Sequence, residues 1–462
     1  MKFFIETKPF DGGTKRLPQG AAKVSFTKKE DIDLVIKGGV KELLISTGSK
    51  RLEERKFSLL SRRIIQSTKT KKIKEIHLSF ESLFQKCSGA SREWCAETFV
   101  VNALMANFEF TKYKTEKKGN FVQKVILYTN GAKDVEKAVR RGEVVGGEVN
   151  ACRALSNTPG GEMTPRKLSA AAKDAVARTR IRVRVLGKKA MTALGMGALL
   201  GVAQGSKEEP QLIILLYKGG GVEKPIVLVG KGVTFDTGGL NLKPTNAIVD
   251  MHLDMSGGAA VIYAITSAAK LKCKKNIIGL IPAVENMPSG SSYRPGDILR
   301  SLSGKTIEIL NTDAEGRVIL ADALTYARRF SPRLVVSVAT LTGAAMSALG
   351  QRASALFTNE DSLAQKMIRL GEESGDYLWP LPLWEEYEKE IKGNFGDIAN
   401  IGKTQYGGAI TAAIFLYQFA KKFPSWAHLD IAPRMIATDD EFLAKGAVGA
   451  PVRLLLKLLE EY

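Results

Sequence analysis

The chain has 462 residues, 44% hydrophobic and 25% charged, with a mean hydropathy of -0.06. These values exclude a disordered tail, a collagen-like fibre and a coiled-coil rod, and they suit about two or three domains with sizeable cores. Charge is the outlier: 68 Lys+Arg against 48 Asp+Glu leave +20, a balance that raises nucleic acid or an acidic membrane surface as a partner.

Residues 1–150 carry 30 Lys+Arg and 18 Asp+Glu, a net of +12, so most of the excess sits in the first third. There the β-like runs Glu42–Ser46, Ile73–Phe80 and Val122–Tyr128 alternate with the helix-like stretches Leu52–Gln66 and Arg92–Asn107. That alternation predicts a small N-terminal α/β domain over 1–150. A charged amphipathic stretch, Lys133–Ala154, reads as a connecting helix, and the turn-rich SNTPGGEMTP (Ser156–Pro165) ends it.

Residues 151–462 form the second predicted domain. Its continuous apolar runs, Leu212–Tyr217, Ile226–Val229, Ile277–Ile281 and Leu334–Ala339, have the pattern of fully buried parallel strands. With helical stretches at Gly257–Leu271 and Val318–Arg328, they predict a larger α/β/α sandwich around a mixed, mainly parallel sheet. The longest uncharged stretch, Leu334–Gln351, contains several Ser, Thr and Gly residues and reads as a buried strand running into a turn, not a membrane span. The N-terminal MKFFIETKPF breaks its apolar run at Glu6 and offers no secretory signal core. The four cysteines (Cys87, Cys95, Cys152, Cys273) have no C-x-x-C spacing and read as reduced thiols, so the expected location is cytoplasmic.

Several familiar motifs fail. Gly230 and Gly232 follow an apolar strand, but Phe235 stands where a dinucleotide fingerprint needs its third glycine. Two G-K-T triplets lack the upstream P-loop glycine, which is replaced by Leu299 in one case and Asp397 in the other. The scattered histidines His77, His252 and His428 allow no H-E-x-x-H, and there is no G-x-S-x-G. A nucleotide kinase, a histidine-ligated zinc enzyme and a nucleophilic-serine hydrolase all lose ground.

What remains is a set of acids and lysines near strand ends. VLVGKGVTFDTGGLNLKP (Val227–Pro244) leaves a buried strand through glycines and places Lys231, Asp236 and Lys243 in one loop. Asp254 follows in MHLDMSGGAA, and EILNTDAEGR presents Asp313, Glu315 and Arg317 at alternate positions, on one face if the backbone is extended. Taken singly, each acid suits a helix cap or a surface ion pair. Taken together, converging carboxylates require countercharge, which divalent cations such as Mg, Mn or Zn supply, two of them where carboxylates bridge. The carboxylates alone suit a hydrolase of peptides or of phosphoesters.

The segments VGKGVTFDTGGLNLKP, MHLDMSGGAA, ENMPSGSSYRPGDI, NTDAEGR, VATLTGAA and WAHLDIA resemble the leucyl aminopeptidase family of cytosolic dinuclear-metal exopeptidases, in order and over about residues 150–460. The resemblance implies two divalent ions per subunit, Zn or Mn, held by Lys231, Asp236, Asp254, Asp313 and Glu315, with Asp236 and Glu315 bridging. It further implies that Lys243 polarises the scissile carbonyl and that Arg317 holds a bicarbonate acting as base; two nearby dications would let Lys231 join only as a neutral amine. The side chain of the residue removed would enter an apolar pocket at Met251, Thr340, Gly343, Ala432 and Met435. The implied assembly is a homohexamer acting on unblocked peptides, with leucine and other apolar N-terminal residues preferred.

Two positions depart from the family pattern: Ser337 stands where an acid is usual, and Pro433 where glycine is usual. A reading from another class keeps the same scaffold for a nucleic-acid-binding accessory or regulatory protein. That role would map to the basic residues 1–150 and be separable from peptidase activity.

Overall fold

A computed structural model describes residues 1–7, 17–28, 33–37, 39–47, 51–116, 119 and 121–462. Of the N-terminal decapeptide, residues 8–10 lie outside the described residues. The chain divides into two compact units, Met1–Asn150 with Ala437–Lys445, and Ala151–Ile436 with Gly446–Tyr462. The second unit is therefore interrupted in sequence, because the segment Ala437–Lys445 belongs with the first unit.

In the first unit, strands β1 (Lys2–Glu6), β2 (Ala21–Thr27), β3 (Asp33–Lys37), β4 (Val40–Ser46), β5 (Glu75–Ser79) and β6 (Lys124–Tyr128) form one sheet in the order β1-β6-β5-β2-β4-β3. Only the β3–β4 pair is antiparallel. The sheet's apolar residues and the buried faces of helices Glu54–Thr70 and Arg92–Asn107 make one core, including Leu43, Ile76, Phe57 and Phe99. The second helix starts where Ser91 accepts a hydrogen bond from the Trp94 amide, satisfying a donor that the first turn leaves unpaired. Helix Ala132–Ser156 spans the predicted connecting stretch.

The second unit contains β7 (Arg182–Leu186), β8 (Gln211–Lys218), β9 (Ile226–Gly230), β10 (Gly232–Asp236), β11 (Asn276–Asn286), β12 (Ile298–Arg300), β13 (Thr306–Glu308), β14 (Leu334–Ala339), β15 (Ser354–Thr358), β16 (Leu378–Pro380), β17 (Ile398–Ala399) and β18 (Trp426–Asp430). Its main sheet runs β16-β15-β18-β14-β9-β11-β8-β7, with β10 beside the end of β11. Strand alternation gives the sheet two apolar faces. Val227, Val229, Ile278 and Leu280 enter a core shared with helix Glu315–Ala327. On the other face, a Cβ at Gly279 would lie within 2.7 Å of Ile265, on helix Ser256–Lys270. Each fully buried Val, Leu or Ile contributes roughly 1.5–3 kcal/mol of transfer free energy, which makes these two layers the main stabilising feature. The expected α/β class and mainly parallel mixed sheet are both present.

Three local expectations are corrected. Leu212–Tyr217 is buried as read, but β8 pairs antiparallel with both β11 and β7. An apolar run reports burial on both faces and carries no information on strand direction. Leu334–Gln351 is a strand followed by a helix, Gly343–Leu349, because Thr342 caps the Ala345 amide and starts a new helical turn. Lys231, Asp236 and Lys243 do not share one loop, since Gly232–Asp236 pairs with β11 as a strand between Lys231 and the turn after Asp236.

Candidate active site

The parallel register of β9, β10, β11, β14 and β18 brings their carboxyl ends to one edge of the sheet, the edge where open α/β sheets hold ligands. Lys231 follows β9, Asp236 ends β10, Asn286 ends β11, Thr340 follows β14 and Asp430 ends β18. Asp254 arrives on a short 3-10 turn, Met251–Met255, just ahead of helix Ser256–Lys270.

Asp313, Glu315 and Arg317 do not share an extended face. Helix Glu315–Ala327 begins at Glu315, so the alternate spacing lies partly in a turn and partly in a first helical turn. The apolar VILADAL that follows packs as a helix against the sheet and draws Gly316 and Arg317 into its first turn. A glutamate there is favoured by the positive end of the helix dipole.

The acids nevertheless converge. One carboxylate oxygen each from Asp236, Asp313 and Glu315 lies within 4.8 Å of the others. Lys231 places its Nζ 2.8 Å from Asp254 Oδ2 and 2.7 Å from Glu315 Oε1, and donates to the Thr340 carbonyl at 3.0 Å. Lys243 lies 2.9 Å from Asp236 Oδ2 and 2.5 Å from Asp313 Oδ1. Four carboxylates thus surround two ammonium groups, with Asp236, Asp254, Glu315 and Lys231 all nearly inaccessible to solvent.

This burial sets the electrostatics. Desolvation raises the carboxyl groups of Asp254 and Glu315 above their ordinary range, and the lysines beside them offset only part of that rise. Burial by itself would lower Lys231, but Asp254, Glu315 and Asp236 outweigh it and hold the amine above the usual lysine value. Desolvation lowers Arg317 to about 10, with its Nη1 donating to the Asn400 carbonyl at 2.8 Å. Asp254 Oδ2, Asp313 Oδ1 and Glu315 Oε1 are buried and accept no directed hydrogen bond, although each lies within ion-pair distance of a lysine. Crowded hard oxygen donors with unfilled acceptor capacity fit divalent cations.

Thr340 reaches this cluster directly, donating through Oγ1 to Asp254 Oδ1 at 2.7 Å. Gly343 starts helix Gly343–Leu349 and Ala432 starts the 3-10 turn Ala432–Arg434, and the segments leading into them are held together by Asp430, whose Oδ1 accepts from the Leu341 and Ala432 amides at 3.1 Å each and whose Oδ2 accepts from Thr342 Oγ1 at 2.7 Å. Met435 closes the turn by donating to the Ala432 carbonyl. Met251 sits half-buried on the Asp254 turn.

Residue-by-residue reading of the sequence passed over the groups that orient these acids. Asn286 donates to Asp236 Oδ1 at 2.8 Å and to the Thr312 carbonyl at 2.9 Å, so one amide ties two acid-bearing loops together. Buried Tyr293 donates to the same Thr312 carbonyl at 2.7 Å. Asn400 accepts from the Leu310 amide and donates to the Asn311 carbonyl while its own carbonyl takes Arg317. Asn286 and Tyr293 lie in ENMPSGSSYRPGDI and Asp430 in WAHLDIA, so the resembling motifs contained them without indicating their roles.

A lysine-threaded carboxylate cluster at the carboxyl edge of a mainly parallel sheet has the donor set of a divalent-metal site, the kind of site a metallohydrolase uses. The model of the cytosol aminopeptidase family catalytic domain matches residues 150–456. A probable cytosol aminopeptidase of Saccharophagus degradans is 41% identical over 430 residues, 91% of this chain and 85% of its own length. Its counterpart from Azoarcus sp. is 48% identical over 349 residues, 75% of this chain and 69% of the other. Among solved structures, the bottromycin maturation enzyme BotP in complex with Mn is similar, with a TM-score of 0.87, 30% identity, and coverage of 95% of this chain and 98% of that one. The chain belongs to the cytosol aminopeptidase family and is a metal-dependent aminopeptidase.

Proposed function

We propose that the enzyme removes single N-terminal residues, preferentially leucine and other apolar ones, from unblocked peptides, using two divalent cations, Zn or Mn. The observation that carries this reading is the convergence of Asp236, Asp313 and Glu315, with Lys231 and Asp254 adjoining. Asp236 and Glu315 would stand between the two cations, Lys231 and Asp254 would complete one site, and Asp313 the other. Bound there, the cations supply Lewis acidity, which polarises a carbonyl and lowers the pKa of a water to about 7. Lys231 would join this ligand set as a neutral amine, because nearby dications disfavour the ammonium.

Lys243 keeps its charge and meets the negative charge that develops on the scissile carbonyl oxygen, an interaction stronger in the transition state than in the ground state. Arg317, anchored by Asn400 and with an unpartnered Nε, would hold bicarbonate as the base beside the attacking water. The substrate's α-amino group binds among the acids, which restricts cleavage to the first residue. Its side chain points toward Met251, Thr340, Gly343, Ala432 and Met435, and the open space beside Gly343, where a Cβ would meet nothing within 4 Å, suits an apolar group.

A homohexamer is consistent with the exposed Trp379, Trp384, Phe395 and Tyr406 of the second unit, since large aromatics left in water favour burial between subunits. A cytoplasmic location agrees with the four buried cysteines, none in a disulfide. Among the described residues no helix is long and apolar enough to cross a membrane. The decisive experiment is hydrolysis of leucine amide or anilide with added Mn or Zn, with metal content measured for wild type, Asp254→Ala and Glu315→Ala. Wild-type turnover with loss of both activity and metal in the variants is expected. Equal inertness of all three on every unblocked peptide would sink the reading.

A further inference from the structure

The first unit holds a second cleft that the peptidase chemistry does not use. It has a volume of about 580 Å³ and lies at the carboxyl ends of the adjacent parallel strands β2, β5 and β6, lined there by Phe26, Ser79 and Tyr128. Small-molecule sites fall roughly between 300 and 1,000 Å³, and the carboxyl ends of parallel strands are where such sheets hold ligands. The wall is polar and its charge is unevenly compensated. Glu81 is neutralised within the protein: both of its oxygens take Arg92, and Oε1 also accepts from Thr129 Oγ1 and the Asn130 amide. Arg92 and these donors hold the Glu81 carboxyl down at about 2. Lys86 is different. Its ammonium lies 5.7 Å from the centre of the half-buried Phe26 ring and has no carboxylate within ion-pair distance among the described residues. The side chains of Ser82, Gln85 and Asn130 line the same cleft, exposed, and make no hydrogen bond within the chain among the described residues.

A cation with no carboxylate partner among the described residues, exposed hydroxyl and amide groups that nothing else in the described chain engages, and aromatic surface from Phe26 and Tyr128 surround one concave, half-open cleft. We propose that this cleft binds a small phosphorylated ligand carrying a planar ring, of the nucleoside diphosphate class. Lys86 meets the phosphate, the Ser82, Gln85 and Asn130 side chains meet the sugar and phosphate oxygens, and the ring lies along Phe26 and Tyr128. The concave shape favours a small ligand over a nucleic-acid strand, which tracks an open basic groove with stacking aromatics.

The test is calorimetric titration of the full-length enzyme at low salt with ADP, inorganic phosphate and a short single-stranded oligonucleotide. One ADP per chain is expected, with affinity about tenfold or more lower in Lys86→Gln and Asn130→Ala, and leucine amide turnover by both variants unchanged. ADP that merely chelated the catalytic cations would bind Lys86→Gln as well as wild type, and that result overturns the proposal. No ADP binding at millimolar concentration overturns it too, as does phosphate binding as tightly as ADP. An oligonucleotide that binds where ADP does not assigns the surface to a polymer and rejects the small ligand.

Discussion

Gly316 and Lys231 meet so closely that a Cβ on Gly316 would lie 2.6 Å from Lys231 Cε and 2.7 Å from its Nζ. The obstructing atoms are the far end of a flexible side chain, so the fold can absorb a methyl group by moving the ammonium away from Asp254 and Glu315. Gly316→Ala is therefore expected to unfold at nearly the wild-type denaturant concentration while losing about 100-fold in kcat, the scale of an ångström-level misplacement. Chemical denaturation and steady-state kinetics on the same preparation separate the two effects.

Asn286 fixes Asp236 against the Thr312 loop through two hydrogen bonds from one amide. Asn286→Ala frees the Asp236 carboxylate to turn and should weaken metal binding about 10- to 100-fold, the usual cost of losing a group that orients a ligand. Metal titration of the chelated variant checks this. Asn286→Asp should be worse, because it adds a carboxylate to a cluster already crowded with them.

Asp430 holds the Leu341–Thr342 and Ala432 loops together. Removing its carboxylate in Asp430→Ala leaves two amides and a hydroxyl without their acceptor, a loss of about 1–3 kcal/mol per group left buried and unpaired. The expected signature is a larger rise in KM for leucine amide than for alanine amide. Asp430→Asn should retain most of the wild-type preference, since its oxygen still serves the two amides and Thr342 can turn its hydroxyl to accept. Equal KM changes for both substrates would mean that these loops do not form the side-chain pocket.

Chelation should abolish peptide hydrolysis without unfolding the chain, because Lys231 and Lys243 already pair with the acids. Near-unchanged circular dichroism after dialysis against a chelator, with activity restored by Mn or Zn, is the expected outcome. Loss of secondary structure on chelation would contradict it.

Stability should fall on the acid side partly through His428. Burial in the sheet, stacked near Phe357 and Trp426, lowers the imidazole to about 3, and only its Nδ1 finds a partner, Ser337 Oγ at 3.1 Å. The unfolded chain takes up this proton near pH 6.5 while the folded chain refuses it until about pH 3. The contribution is thus complete above pH 6.5 and is lost as pH falls toward 3, by about 1.4 kcal/mol per pH unit. Denaturation curves between pH 4.5 and 6.5 should show a shallower pH slope for His428→Leu than for wild type. Ser337→Asp should also flatten the slope, since a carboxylate beside Nδ1 raises the imidazole.

Local pattern was enough for helix Arg92–Asn107, for the helical core of Ala132–Ser156 and for the burial of the four apolar runs, because periodicity and capping act over a few residues. The same reasoning failed on the direction of β8, on the strand Gly232–Asp236 and on the helix beginning at Glu315. Each of these depends on a neighbour distant in sequence: β11 for the two strands, and the sheet face for the helix.

The acid and lysine inventory was legible in the sequence because converging carboxylates and cationic side chains are chemically distinctive wherever they occur. Which oxygen faces which lysine, and that Asn286, Asn400 and Asp430 hold the loops in place, was decided only when parallel strands with long crossovers aligned their carboxyl ends. Apart from the local Asp430–Ala432 bond, those hydrogen bonds join residues separated by 26 to 90 positions in the chain, and no local spacing encodes such separations. The +20 balance was plain from composition, but only the folded first unit gathers Lys86, Phe26 and three unfilled polar side chains around one cleft. Net charge sums over the whole chain, whereas recognition depends on where individual charges are left uncompensated.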